Sequence, residues 1–305
     1  MSYKFDLFDI LIGNEKDRDY NKKPVIIQGI TGNFGSTHTR LMKEYGTNIV
    51  AGVTPGKGGI SFEGIPVYNS VSDAIKETAA KISGIFVPAP FFLNAAKEAI
   101  DNGVKLLVAI PEHVPIIDSL KILEYAKKNG ARMIGPNTPG VIIPEVMKVG
   151  IMPAKPFVKG STVVLSRSGT LMYEVSHTLT QAGYGQRLCL GIGGDPINGT
   201  NLLEAFDLIR DRDEIDSVIV VGEIGGDAEE KLSDYIITTH FNKPVVAYVA
   251  GRAAPKEKKM GHAGAIVYGN YGSAESKISN YSKANVPVAK RPIEVPDLLK
   301  IKLRK

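Results

Sequence analysis

His262 stands among small residues, with Gly261 before it and Ala263, Gly264 and Ala265 after it. Nothing bulky shields the imidazole, so another backbone or a phosphate can approach it, as a phosphorylated or otherwise nucleophilic histidine requires. Lys256, Lys258 and Lys259 precede it and would favour an incoming polyanion. A tight turn carrying a surface histidine fits the same stretch, so other residues must decide. Glu223 stands in Val221-Gly-Glu-Ile-Gly-Gly226. At a strand end its carboxylate can accept a hydrogen bond from one imidazole nitrogen, which fixes the tautomer and leaves the other nitrogen nucleophilic. An acid that opens a helix is the plainer reading of the same residue.

Several turns add anion-binding features. Leu165-Ser-Arg-Ser-Gly-Thr-Leu-Met-Tyr-Glu174 reads as a strand, a small-residue turn and a helix, whose free N–H groups and positive dipole end would hold an anion. The pattern GxSxG is absent, so the turn is not a hydrolase elbow. Gln28-Gly-Ile-Thr-Gly-Asn-Phe-Gly35 follows a strand and opens a helix, but its glycines are spaced GxxGxxG rather than as in the dinucleotide fingerprint. Where a nicotinamide-binding domain would place an acid for the ribose hydroxyls, this chain has Val53-Thr-Pro-Gly-Lys-Gly-Gly59. A cation there, Lys57, selects for a ribose phosphate, which points to NADP or coenzyme A. Proline holds two further loops rigid, Val87-Pro-Ala-Pro90 and Ile110-Pro-Glu-His-Val-Pro115, and Glu112 could accept from an adenine or ribose group.

The elements that must position these turns repeat one unit, a β-branched run, a glycine or proline turn, and a helical pattern. Strands are expected at Val25–Gln28, Asn48–Val53, Gly84–Val87, Leu106–Ile110 and Met133–Gly135, with helices from His38, Val71, Leu93 and Ile116. Prolines at 136, 139, 144, 153 and 156 then suggest a boundary. A second cycle places strands at Thr162–Leu165, Arg187–Leu190, Ser217–Val221, Val245–Tyr248 and Ala265–Val267, with helices from Leu171, Leu202, Ala228 and Ser273. The expectation is a tandem α/β fold of doubly wound parallel sheets: an extension at 1–23, one domain at 24–152 and another at 153–305, with ligands at the carboxyl ends of strands.

Composition narrows the class. The chain has 305 residues, 43% hydrophobic and 23% charged, and a net charge of +5. The basic residues are spread along the chain and not interleaved with aromatics, so a phosphate-rich small molecule accounts for the charge at least as well as nucleic acid. No apolar run reaches membrane-spanning length, no thiolate metal cluster is possible with the single Cys189, which reads as core packing, and the first residues lack a signal or transit character. A cytoplasmic protein with no membrane or nucleic-acid partner and no bound metal is expected. The basic end Lys300–Lys305 reads as a solvated tail.

The motifs quoted above, with Gly135-Pro-Asn137, Gly191-Ile-Gly-Gly-Asp-Pro196 and Met260-Gly-His-Ala-Gly-Ala-Ile266, resemble in order and spacing those of the α subunit of succinyl-CoA synthetase. The resemblance implies a Rossmann-like CoA-binding domain followed by a flavodoxin-like ligase domain, working with a β subunit that carries a grasp-type site for ATP or GTP and magnesium, as αβ or α2β2. It implies that Thr31, Gly32, Asn33, Phe34, Lys57, Ile110, Pro111 and Glu112 bind coenzyme A. It further implies that His262 carries a phosphoryl group with Glu223 as its partner, and that Ser168, Gly169 and Tyr173 face the phosphoryl group and the carboxylate substrate. Thr138, Pro111, His113, Ser61–Glu63 and the long N-terminal arm depart from the family pattern and leave the acid open. The small subunit of a citryl-CoA synthetase is the alternative within the class, and a CoA- or NADP-binding regulatory module the alternative outside it.

Overall fold

The structure, a computed structural model, describes residues 7–11, 23–254, 260–269 and 271–304. Lys256, Lys258, Lys259 and most of the polar arm at 14–23 lie outside the described residues. The chain forms two compact units, Met1–Ile151 with Ile197–Gly199, and Met152–Pro196 with Thr200–Lys305.

The first unit comprises α1 (Leu7–Leu11), β1 (Val25–Gln28), α2 (Asn33–Glu44), β2 (Ile49–Val53), β3 (Ser61–Phe62), β4 (Ile65–Tyr68), α3 (Val71–Thr78), β5 (Ile82–Ile85), α4 (Ala89–Asp101), β6 (Leu106–Ala109), α5 (Ile116–Lys128), β7 (Arg132–Ile134), β8 (Gly140–Ile143) and β9 (Met147–Gly150). Its sheet runs β3-β4-β2-β1-β5-β6-β7. All neighbours are parallel except the β3–β4 hairpin. Residues of β1, β5 and β6 are buried at every position, as strands covered on both faces require, and the two polar side chains among them satisfy each other, Gln28 Nε2 donating to Ser83 Oγ at 3.0 Å. One face packs Phe92, Ala96 and Ile100 of α4 and Ile122 of α5 against Ile26, Ile85 and Leu107. The chain leaves β1 to one side for β2 and returns to its other side for β5, so the strand order reverses at β1 and opens a crevice beyond its carboxyl end. The antiparallel hairpin β8–β9, which the proline-rich composition hides, lies against α2 and the turn after it: Gly150 N donates to Met42 Sδ, and the Thr47 hydroxyl donates to Lys148 O at 2.8 Å and accepts from Lys148 N at 3.1 Å.

The second unit comprises β10 (Lys159–Ser166), α6 (Gly169–Gln181), β11 (Gln186–Gly191), α7 (Leu202–Asp207), β12 (Ser217–Glu223), α8 (Ala228–Thr238), β13 (Val245–Ala250), α9 (Ala274–Lys283), β14 (Val288–Ala289), a 3-10 turn (Pro292–Glu294) and α10 (Val295–Leu303). Its strands run β14-β13-β12-β10-β11, all parallel. Here the order reverses at β10, whose last residue Ser166 lies level with Val221 of β12. The Ser166 turn and Glu223 therefore come out side by side at the carboxyl edge. Cys189 is buried in β11, and burial pushes its thiol up.

One expectation is corrected. Ala265–Val267 is not a strand, because its backbone is used by the turn around His262: Ala265 N donates to His262 O at 3.1 Å and Ile266 N to Gly264 O at 3.1 Å. The edge strand is instead β14. The residues up to Leu303 form α10, which buries Val295 and Leu299, opens with Pro296 in its first turn and leaves Lys300 and Arg304 exposed, as expected of a solvated end. Among the described residues no helix is long and apolar enough to cross a membrane, and no group of three or more His, Cys, Asp or Glu could hold a metal ion.

Candidate functional site

At the carboxyl edge of the second unit, His262 Nδ1 lies 2.8 Å from Glu223 Oε2. An ionised carboxylate can only accept, so Nδ1 carries the proton and donates it. Nε2 is left with its lone pair. The ring is part-exposed, its side chain 32% accessible against 8% for Glu223, so the carboxylate is fixed and the imidazole can be reached. The hydrogen bond to Glu223, reinforced by the Glu223 charge and by Asp195, holds the His262 pKa above its ordinary value, against burial and the nearby Arg167.

Glycines make room for this pair. A Cβ on Gly194 would stand 2.4 Å from His262 Cγ, and one on Gly225 only 1.9 Å from Gly264 O. Gly225 also has φ +91, a conformation that L side chains rarely adopt. A Cβ on Gly222 would come 2.6 Å from Glu229 Oε1. Gly225 N donates to Gly272 O at 2.7 Å and Gly264 N to Gly194 O at 3.2 Å, which ties the histidine turn to the strand-end turns beside it.

Behind Glu223 lies a buried ionic network that the sequence motifs alone do not reveal. Arg167 Nη1 donates to Glu223 O, Gly225 O and Glu229 Oε1, each at 3.0 Å, and its Nη2 lies 3.6 Å from Glu223 Oε1. Glu229 Oε1 accepts from Glu223 N at 3.2 Å, and Glu229 Oε2 from Lys277 Nζ at 2.5 Å. Burial opposes ionisation of Glu229, yet Arg167 and Lys277 hold its pKa below the usual carboxylate value. For Arg167 burial also works against the charge, and Glu229 and Glu223 together raise its pKa nonetheless. Arg167 was visible as the middle of Ser166-Arg-Ser168, but no local pattern marks Glu229 or Lys277, which lie 62 residues from Arg167 and 48 from Glu229 respectively.

Ser168 caps α6, its hydroxyl accepting from Leu171 N at 3.5 Å, and Ser166 Oγ donates to Ser168 O at 2.6 Å. Gly169 is the first residue of that helix, so the positive dipole end opens beside Arg167. Tyr173, one turn on, packs edge-on against Phe157 with ring centroids 6.1 Å apart, and burial pushes its phenol up to about 12.

In the first unit Thr31 donates to the Thr54 hydroxyl at 3.2 Å, joining the turn after β1 to the one after β2. Gly32 is the cap residue of α2 and offers no side-chain cap hydrogen bond, Asn33 is the first helical residue, and Phe34 is 52% exposed against His38 and Phe86. The GxxGxxG spacing has a steric cause: Gly29 has φ +80, and a Cβ on Gly35 would stand 2.2 Å from Gly29 O. Lys57 is exposed in the loop after β2, between Gly56 and Gly58. Ile110 is buried at the end of β6, while Pro111 is half-buried and Glu112 exposed beside it. Thr31 and Gly32 thus lie in the turn after β1, Asn33 and Phe34 open α2, and Lys57 and Ile110 to Glu112 lie in the loops that follow β2 and β6.

A family model described as a CoA binding domain matches residues 20–113, and one described as CoA-ligase matches residues 165–286. The chain is 49% identical over 278 residues to the succinate–CoA ligase [ADP-forming] subunit alpha of Methanothermobacter thermautotrophicus, covering 91% of this chain and 94% of the relative. It is 50% identical over 275 residues to the succinate–CoA ligase [ADP-forming] subunit alpha 2 of Archaeoglobus fulgidus, with 90% and 95% covered. Among solved structures, the ATP citrate lyase of Methanosaeta concilii in complex with (3S)-citryl-CoA shares the fold with a TM-score of 0.83 at 22% identity. That match covers 93% of this chain but 50% of the lyase chain, so this chain spans about half its length.

Proposed function

The chain belongs to the family of succinate–CoA ligase α subunits, and from that premise we propose that it is the α subunit of a succinyl-CoA synthetase, an acid–thiol ligase that makes succinyl-CoA from succinate, coenzyme A and ATP or GTP, reversibly. The observation that carries the reading is the 2.8 Å contact of His262 Nδ1 with Glu223, which leaves Nε2 as the nucleophile. A carboxylate is a poor acyl donor because its leaving group would be oxide. Transfer of the terminal phosphoryl group to Nε2, with the nucleoside diphosphate leaving, and then from Nε2 to a carboxylate oxygen of the acid, with the P–N bond breaking, splits one hard displacement into two. As the P–N bond forms the ring becomes cationic, and Glu223 accepts the retained Nδ1 proton's hydrogen bond more strongly. The resulting acyl phosphate is attacked by the thiol of coenzyme A, which forms the thioester and releases phosphate.

Ser168 and Gly169 at the start of α6 receive the phosphoryl group on their amide and dipole end, and Tyr173 lies toward the carboxylate substrate. Residues 24–152 form the CoA-binding domain and 153–305 the ligase domain. Thr31, Gly32, Asn33 and Phe34 would hold coenzyme A at the opening of α2, with Lys57 on its ribose phosphate and Ile110, Pro111 and Glu112 at the adenine end. A β subunit with a grasp-type site would hold the nucleotide with magnesium, in αβ or α2β2 assemblies. The single buried cysteine fits a reducing cytoplasm.

The test is reconstitution with the β partner and radiolabelled nucleoside triphosphate with magnesium. An acid-labile phosphoprotein that disappears in His262→Ala is expected, and labelling that persists in the variant refutes the assignment. Comparing turnover of succinate and citrate on the assembled pair decides the acid.

A further inference from the structure

We infer that Lys277 of α9 is a positioning residue for phosphoryl transfer, acting on the His262–Glu223 pair through Glu229 and Arg167. The inference rests on the phosphohistidine reading. Both Lys277 and Glu229 have fully buried side chains, 0% accessible, and their Nζ and Oε2 atoms are 2.5 Å apart. Lys277 Nζ also donates to Gly226 O at 3.0 Å and to Glu230 Oε2 at 2.9 Å. Taking such groups out of water is costly, and packed apolar side chains would often serve stability as well, so the arrangement calls for a positional explanation.

The geometry supplies one. Glu229 has two tasks at the strand end: Oε1 accepts from the backbone N–H of Glu223 and from Arg167 Nη1, which also reaches Oε2 at 3.4 Å. Arg167 in turn grips the carbonyls of Glu223 and Gly225 and places Nη2 3.6 Å from Glu223 Oε1, the oxygen that makes no hydrogen bond. Lys277 fixes the other oxygen of Glu229 and the carbonyl of Gly226, so it closes the ring of contacts around residues 223–226 from the opposite side. Without the ammonium, Glu229 would be balanced by Arg167 alone and would draw the guanidinium away from Glu223.

Charge points the same way. Arg167 and Lys277 face the three carboxylates Glu223, Glu229 and Glu230, which leaves one negative charge uncompensated until the His262 ring becomes cationic. That excess negative charge favours a ring that keeps its Nδ1 proton as the P–N bond forms. Lys277 limits that excess charge from α9, 15 residues beyond the histidine in sequence.

The experiment uses the chain assembled with its β partner, radiolabelled nucleoside triphosphate and magnesium, in single turnover. Lys277→Met, which keeps the stem and removes the charge, should slow labelling of His262 by about tenfold or more while the nucleotide KM changes by less than about twofold, as expected of lost positioning and not lost binding. Because a buried carboxylate left unpaired can unfold the unit, Lys277→Met/Glu229→Gln is measured beside it. The double variant should regain thermal stability and stay slow, since the neutral amide no longer holds Arg167 as the carboxylate did. Wild-type labelling rates in Lys277→Met, or a double variant that recovers rate together with stability, would overturn the inference by reducing Lys277 to a compensating charge. Absence of label in the unmodified protein is a different result, and strikes the phosphohistidine reading itself.

Discussion

Replacing Gly194 by alanine tests the space around the imidazole. The added Cβ would stand 2.4 Å from His262 Cγ, 2.5 Å from Cδ2 and 2.7 Å from Nδ1, about 1 Å short of ordinary contact. The φ of Gly194 is not in the left-handed region, so the methyl group brings no backbone strain of its own and the ring must give way. A ring displaced by about 1 Å loses a 2.8 Å hydrogen bond to Glu223, because the contact is carried past the range in which N–H···O bonds hold. A misplacement of that size costs about 10²-fold in rate, or about 3 kcal/mol of transition-state stabilisation. The assay is single-turnover phosphorylation of His262 in the assembled enzyme, read beside the thermal midpoint. The expected result is slow labelling with a nearly unchanged midpoint, because His262 is a part-exposed side chain and no core residue is touched. Labelling at the wild-type rate would show that the ring has free room and that the small residues around it serve another purpose.

Three further outcomes follow from the same geometry. Glu223→Gln removes the charged hydrogen-bond partner that chiefly raises the His262 pKa, leaving Asp195 alone against burial and Arg167, so that pKa should fall and the rise of phosphorylation rate with pH should move to lower pH even as the maximal rate drops; an unmoved midpoint by histidine NMR would contradict the assignment. In the wild type the sign is that of a raised group: its stabilisation is fully present below 6.5 and is lost as pH climbs through the folded pKa, so acid-to-neutral thermal scans of Glu223→Gln should lose that component. Lys57→Ala should weaken coenzyme A binding by about 10- to 100-fold, the worth of a hydrogen bond to a charged group, and leave dephospho-coenzyme A nearly unaffected; equal losses by calorimetry for both ligands would remove Lys57 from the ribose phosphate. Gly35→Ala, whose Cβ would meet Gly29 O at 2.2 Å, should destabilise the first unit and abolish coenzyme A binding, while an alanine variant that binds normally would show that the turn relaxes cheaply.

The alternation of apolar runs and helical patterns was enough to expect both parallel sheets, because strands buried on both faces read as continuous β-branched stretches such as Val25–Ile27 and Val218–Val221. The turns were legible for a related reason: glycine and proline cluster where backbones must approach closely, and Gly29, Gly35 and Gly225 do so here. The hairpin β8–β9 was not legible, since prolines at 139 and 144 look like a linker although Gly140 and Gly150 pair across it. Ala265–Val267 misled because short apolar triplets suit a turn as well as a strand. Least legible was the Arg167–Glu229–Lys277 chain of contacts. Glu229 reads as an ordinary first-turn acid of α8 and Lys277 as a solvated lysine of α9, and only folding brings them together.

Gly194, Gly222 and Gly225 give the catalytic corner a further property. Each is confined by a different neighbour, respectively the imidazole, the Glu229 carboxylate and the carbonyl of Gly264. A library of single substitutions should find this corner closed at all three positions, whatever acid is supplied. Any change that makes room for a bulkier carboxylate is therefore expected in side chains outside this corner, where a substitution need not displace the imidazole or its carboxylate partner.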